Sequence, residues 1–233
     1  MTTKAWLAGD QFDLETGATL LTVGDIRVIK EGEKFYLSAP QLDNPPPGKE
    51  FHEVARELLV RVNGVGRLMR SDFSPVELTD HYDRDDGVHI VGATASLVAR
   101  TQISATAIVL DSNGTPKPQP PPVAPAYLAL AAKDPDVAEA LQILGQPSSP
   151  RFADLHRILE IVEHTGLVKS AMQSAGISKA SMRRFTHTAD HPAASGADSR
   201  HSRSSQQPPK NPMTTDEART MIRQLVSAWM DSL

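Results

Sequence analysis

Cations and histidines crowd into one stretch of this chain. Five of the eight histidines lie between His156 and His201. Residues 177–210 carry six Lys or Arg against two Asp, while residues 1–176 carry 16 against 23. A basic, histidine-bearing segment therefore sits on an acidic protein, and such asymmetry points to an anionic partner. Lys179, Arg183, Arg184, Arg200 and His201 form the candidate anion- or partner-binding set.

Three sharper chemistries fit the same residues. His187 and His191 are four apart, so on a helix they share a face and could reach one metal ion, with Asp190 or His201 completing the set. Pro192 follows immediately and threatens that helix. Alternatively, His187 or His201 could act as a general base, with Asp190 or Asp198 orienting the ring and Arg184 or Arg200 holding an anionic substrate. Nothing supplies a recognisable nucleophile: there is no Gly-x-Ser-x-Gly, phosphate loop or dinucleotide fingerprint. Third, residues 168–188 resemble a helix-turn-helix. Gly176-Ile177-Ser178-Lys179 reads as its turn, and Lys179, Ser181, Arg183 and Arg184 face outward. Met172 departs from that pattern, which wants a small residue four before the glycine. Against all three stands a plain polar loop, since Ser, Gly, Pro and charge dominate residues 195–209.

The elements that must position these groups fall either side of a seam. Residues 111–125 hold six prolines between Pro116 and Pro125, which excludes helix and sheet interiors and favours a semi-rigid spacer. Before it, residues 26–30 and 34–38 read as a hairpin about Glu31-Gly32-Glu33. Val54, Leu58, Val62, Val65 and Met69 recur at the helical period through Gly64, which would let this helix sit close to a sheet. Residues 76–82, 88–95 and 97–110 read as strands. After the seam, residues 126–132 and 136–144 read as helices, and Leu155, Ile158, Leu159 and Val162 mark another. Residues 170–175 and 178–188 suggest a helix pair about Gly176. Thr214 and Glu217 spell a capping box before a stripe of Ala218, Ile222, Leu225 and Trp229. The expected fold is α+β: residues 1–110 a small β-sheet with one packed helix, 111–125 a linker, and 126–233 an α-helical bundle carrying a basic loop at about 187–212.

Composition removes whole classes of function. The chain has 233 residues, a formal net charge of −4 and no cysteine. That excludes disulfide scaffolds, thiolate zinc sites, iron–sulfur clusters and cysteine nucleophiles. No apolar run approaches the roughly 20 residues a membrane helix needs, and the first residues turn polar too soon for a signal peptide. A soluble, cytoplasmic protein without cofactor or membrane partner is expected.

One resemblance covers about 50 residues after the seam. The run Arg184-Phe185-Thr186-His187-Thr188-Ala189, Gly196, Arg200-His201 and then Pro208-Pro209-Lys210-Asn211-Pro212-Met213 before a capped helix resembles the C-terminal end of a group of uncharacterised bacterial proteins. It implies bacterial origin and a loop integral to the protein, and no activity. The expectation is a non-enzymatic binding or scaffolding protein acting through the basic segment on a protein or nucleic-acid partner. A DNA-binding regulator is the alternative, and a His-dependent hydrolase or metal-binding protein the next.

Overall fold

The computed structural model describes residues 2–91, 123–199 and 207–233. The expected strand at 97–110, most of the proline-rich segment, Arg200 and His201 lie outside them. The chain divides into two compact units, one of Met1–Val62 with Phe73–Ala129, the other of Asn63–Asp72 with Leu130–Leu233. The fold is α+β.

The first unit is built on a five-stranded antiparallel sheet in the order β2-β3-β1-β4-β5. Its strands are β1 (Lys4–Ala8), β2 (Arg27–Glu31), β3 (Lys34–Ser38), β4 (Glu77–Arg84) and β5 (Gly87–Ile90). The expected hairpin is present: β2 and β3 pair from Arg27↔Ser38 to Glu31↔Lys34, turning through Gly32 at φ 61°, where glycine meets no Cβ penalty. Tyr82, Phe35, Leu37 and Ala5 are fully buried on one face. Onto it pack α1 (Gln11–Leu20), whose first turn Asp10 caps by accepting the Phe12 amide at 2.9 Å, and the start of α3 (Phe51–Met69), where Phe51 meets Tyr82 edge-on at 5.1 Å. A short α2 (Pro40–Asp43) lies between them in sequence.

Three elements here were not anticipated, β1, α1 and the short α2. Lys and Ala are poor strand formers, so the five residues of β1 give little local signal. Helix α1 is diluted by Thr16, Gly17 and Thr19. Yet β1 is the central strand, paired with both β3 and β4. The strand expected at 88–95 ends, within the described residues, at Ile90.

The second unit is helical: the end of α3, then α5 (Pro135–Leu144), α6 (Phe152–His164), α7 (Val168–Ser174), α8 (Lys179–Asp190), α9 (Pro192–Ser195) and α10 (Thr215–Met230). Helix α4 (Ala124–Ala131) begins in the first unit. Pro125, assigned to the linker, instead opens α4, because proline in a first turn sacrifices no helical hydrogen bond. Gly64 does permit a close approach, but to a helix rather than a sheet. A Cβ there would lie 2.1 Å from the Leu141 carbonyl oxygen. Three residues on, the Arg67 guanidinium donates to the carbonyls of Leu144, Gln146, Pro147 and Ser148 at 2.6–3.2 Å. It thereby satisfies groups that the C-terminus of α5 leaves open. Burial pulls Arg67 down to about 10, helped by Arg219, so it stays charged near neutrality. Leu155, Ile158, Leu159 and Val162 of α6 are buried as expected, as are Ala218, Ile222, Leu225 and Trp229 of α10. No helix among the described residues is long and apolar enough to cross a membrane.

Candidate functional site

Two surfaces gather chemistry-bearing side chains, one in each unit. The second unit holds the one visible in the sequence. Gly176, at φ 67°, ends α7: the Ile177 amide donates to Met172 O at 2.8 Å and the Gly176 amide to Gln173 O at 3.2 Å, the reverse-turn closure that left-handed glycine allows. Ser178 then accepts the Ser181 amide at 3.0 Å and starts α8. Phe185, Thr188 and Ala189 turn inward, while Lys179, Ala180 and Arg183 stay exposed.

Arg184 behaves differently from its neighbour. Its guanidinium grips both oxygens of Glu217 at 3.0 and 2.9 Å and donates to Asn211 O at 3.0 Å and Pro212 O at 2.9 Å. The same Glu217 carboxylate accepts the Thr214 amide at 2.7 Å while Thr214 accepts from the Glu217 amide at 3.2 Å, so one side chain serves the capping box and the ion pair. Arg184, reinforced by the Thr214 amide, holds the Glu217 carboxyl down at about 2. Thr188 completes the seam, donating to Arg184 O at 2.8 Å and accepting the Met213 amide at 3.0 Å. The approach to α10 is thus stitched onto α8, and Arg184, read from sequence as an anion ligand, is committed inside the fold. Beside this ion pair opens a groove of about 490 Å³ bordered by Ile177, Ser181, Met213, Thr220 and Gln224.

The histidines are likewise engaged locally. A His187 ring nitrogen lies 3.1 Å from Gln207 O and donates to it. His191 is buried and its Nδ1 accepts the Ala193 amide at 3.2 Å, capping α9. The two rings stand 6.3 Å apart, centroid to centroid. Among the described residues no group of three His, Cys, Asp or Glu is placed to hold a metal ion. Asp198 pairs with Arg151 at 2.8 Å. Asp190 faces a histidine that the sequence reading passed over: His156 is buried on α6, 3.8 Å from Asp190 and 3.6 Å from Glu160, and stacks on Phe185 at 6.2 Å. Its place beside Leu155 in the apolar stripe, with Glu160 one turn on, was the available signal.

The first unit holds the other surface, on the sheet face away from α1 and α3. Alternation along β1 sends Ala5 and Leu7 to the core and Lys4 and Trp6 to this face. The register sets Trp6 opposite Tyr36 and Tyr36 opposite Ile29, and Lys4 opposite Asp83. Trp6 and Tyr36 meet edge to face at 5.4 Å. The Trp6 indole N–H donates to Asp83 at 2.8 Å, and His81 lies 3.2 Å from the other Asp83 oxygen. The ammonium groups of Lys4 and Lys34 sit 5.7 and 5.6 Å from the Trp6 ring centroid, within cation–π range. Lys4 also reaches across Tyr36 at 5.2 Å to Glu31, whose carboxylate raises the Lys4 ammonium above its usual value.

A bulge shapes this face. Ala5 pairs with Tyr82 and Leu7 with Leu78, so Thr79, Asp80 and His81 together oppose Trp6. Asp80 takes φ 57°, and no other non-glycine described residue has positive φ. Its carbonyl accepts the Val91 amide at 2.8 Å and its carboxylate lies 3.7 Å from Arg56. Thr79 Oγ1 donates to Trp6 O at 3.1 Å and accepts the His81 amide at 3.3 Å. Bulges re-aim side chains, and this one delivers His81 to the Trp6 ring at 6.3 Å.

No family model, curated protein or solved structure matches the chain.

Proposed function

We propose that the protein is a non-enzymatic binding protein whose second unit engages an acidic partner through the turn before α8 and the outward face of that helix. The observation that carries this reading is the division of labour between adjacent arginines. Arg184 is consumed by Glu217 and two carbonyls. Lys179 and Arg183, one turn apart, are exposed and paired with no carboxylate among the described residues. Ser181, between them in sequence, borders the groove with Ile177 and Met213, so charge and an apolar anchor point lie side by side. Histidine chemistry has less support, because His187 and His191 are tied into the backbone around them.

A second reading is favoured by one observation. The Ser178 cap and the exposed Lys179-Ala180 pair reproduce how a recognition helix presents its N-terminal residues to duplex DNA. One experiment tests both. The Lys179→Glu/Arg183→Glu double variant should lose retention on a polyanionic column and keep the wild-type melting temperature. Arg184→Ala should keep retention and melt lower. If the double variant elutes with the wild type, this surface is not the binding site. A duplex of random sequence bound more tightly than an acidic peptide selects the DNA reading.

A further inference from the structure

We infer that the cleft between the ends of α3 and α7 and the second half of α10 binds a short free peptide lengthwise, with its carboxylate on Arg223 and its ammonium at Asp231. Every lining residue belongs to the second unit, and the inference is independent of the α8 surface.

The cleft has a volume of about 540 Å³. Leu68 and Met69 of α3, with Ala175 and Ala228, give it an apolar side, and Met69 is 38% exposed. Its polar side is one line of α10. Arg223, Ser227 and Asp231 follow at intervals of four residues, so they share a helix face and rise by about 6 Å at each step. A cation, a hydroxyl and a carboxylate therefore succeed one another along the cleft, and Ser174 adds a second hydroxyl from α7. The cation is open because the nearest acid is taken. Arg70 grips both oxygens of Asp72 at 3.1 and 2.8 Å, and it is Arg70 first, with Arg223 only a distant contributor, that holds the Asp72 carboxyl below its usual value. Half-buried Arg223 has no hydrogen bond and no carboxylate within ion-pair distance among the described residues.

The order and spacing of these charges select the occupant. The lining carries one Arg and one Asp, so a zwitterion matches it in net charge. A dianion would set a negative end against Asp231, and a diamine would set a positive end against Arg223. The two residues are eight positions apart, about 12 Å along the helix axis. A single amino acid carries both charges on one carbon and cannot reach both. An extended tripeptide spans about 10 to 11 Å, and the long Arg223 side chain closes the remainder. The peptide carboxylate then meets the planar fork of a guanidinium, which suits a bidentate pair. Its ammonium meets Asp231, its inner amides lie against Ser227 and Ser174, and its central side chain takes the apolar side. Asp231 has a further interaction within the chain, but a carboxylate offers about four lone-pair sites and accepts an ammonium beside it.

The test titrates the full chain, by calorimetry, with alanyl-leucyl-alanine, its N-acetylated form, its C-terminal amide and free alanine. Saturable binding of one free tripeptide per chain is expected, with each capped form about tenfold weaker and no competition from alanine. Arg223→Gln should weaken the free tripeptide about tenfold and abolish the penalty for amidation. Asp231→Asn, at the exposed end of α10, should do the same for acetylation. Both variants should melt with the wild type, and Lys179→Glu/Arg183→Glu should bind the tripeptide as the wild type does. The inference is overturned by absence of saturable binding, by capped forms that bind as tightly as the free peptide, or by alanine that competes on equal terms. It is also overturned if Arg223→Gln melts well below the wild type while Asp231→Asn leaves the acetylation penalty in place, for Arg223 is then a brace of the fold and the cleft does not read peptide ends.

Discussion

The sheet face of the first unit and the α8–α10 seam of the second assemble similar materials, an aromatic ring with cations and carboxylates, and use them in opposite ways. On the seam, Arg184 and Glu217 close on each other and on the backbone at 2.7–3.0 Å. On the sheet, Lys4 and Lys34 lean against an indole, and only Lys4 also reaches a carboxylate. A guanidinium with four of its five donors matched inside the fold stabilises it and has little left to offer a ligand. An ammonium resting on a ring keeps its donors available. Satisfaction of hydrogen-bonding groups, more than the density of charge along the sequence, separates a cluster that braces the fold from one whose donors stay available.

The largest effect should fall where neither surface is involved. Trp229 is fully buried on α10, and Trp229→Ala should cost about 3 to 5 kcal/mol in a denaturant or thermal melt. An unchanged melt would mean that α10 is an appendage and that the seam orders nothing.

A smaller effect sharpens the contrast itself. Glu217 sits at about 2, against 4.5 for an ordinary glutamate. A carboxyl whose pKa is lowered by folding stabilises the native state above the unfolded value and loses that contribution as pH falls. The wild type should therefore lose stability between about 4.5 and about 2. Arg184→Ala should lower the melting temperature at neutral pH and flatten this acid slope, because the largest cause of the Glu217 shift is gone. The sheet-face variant Lys34→Ala should leave the slope intact. Equal slopes in wild type and Arg184→Ala would show that the ion pair is not formed in solution.

The smallest effect concerns the cap. Thr214→Ala removes one acceptor from the first turn of α10 and should cost about 1 kcal/mol, measurable as a shift in denaturation midpoint. A cost near zero would mean that Glu217 alone holds that turn.

Legibility followed the range of the interactions. The hairpin about Gly32, the capping box at Thr214 and the stripe on α10 are written in residues a few positions apart, and each stands where the sequence reading put it. The basic segment was visible for the same reason, since Lys179, Arg183 and Arg184 are close together along the chain. What local pattern cannot say is that Arg184 closes on Glu217, 33 residues away. The sheet face was invisible by the same logic. It joins Lys4 and Trp6 to Lys34, Tyr36, His81 and Asp83 through strand register and a two-residue slip in β4. Nothing near Trp6 in sequence announces that register.

The position of β1 has a consequence for how the chain reaches its native state. The strand that sits in the middle of the sheet precedes the other four in sequence, and it pairs Ala5 with Tyr82 on one side and Leu37 on the other. Hairpins β2–β3 and β4–β5 can each close locally, but the sheet has no centre until β1, distant from both in sequence, is captured between them. Such long-range closure is entropically slow. Deleting the first eight residues would therefore leave two separate ribbons, each below the three strands that independent stability requires, and would remove the keystone of the sheet rather than trim its rim.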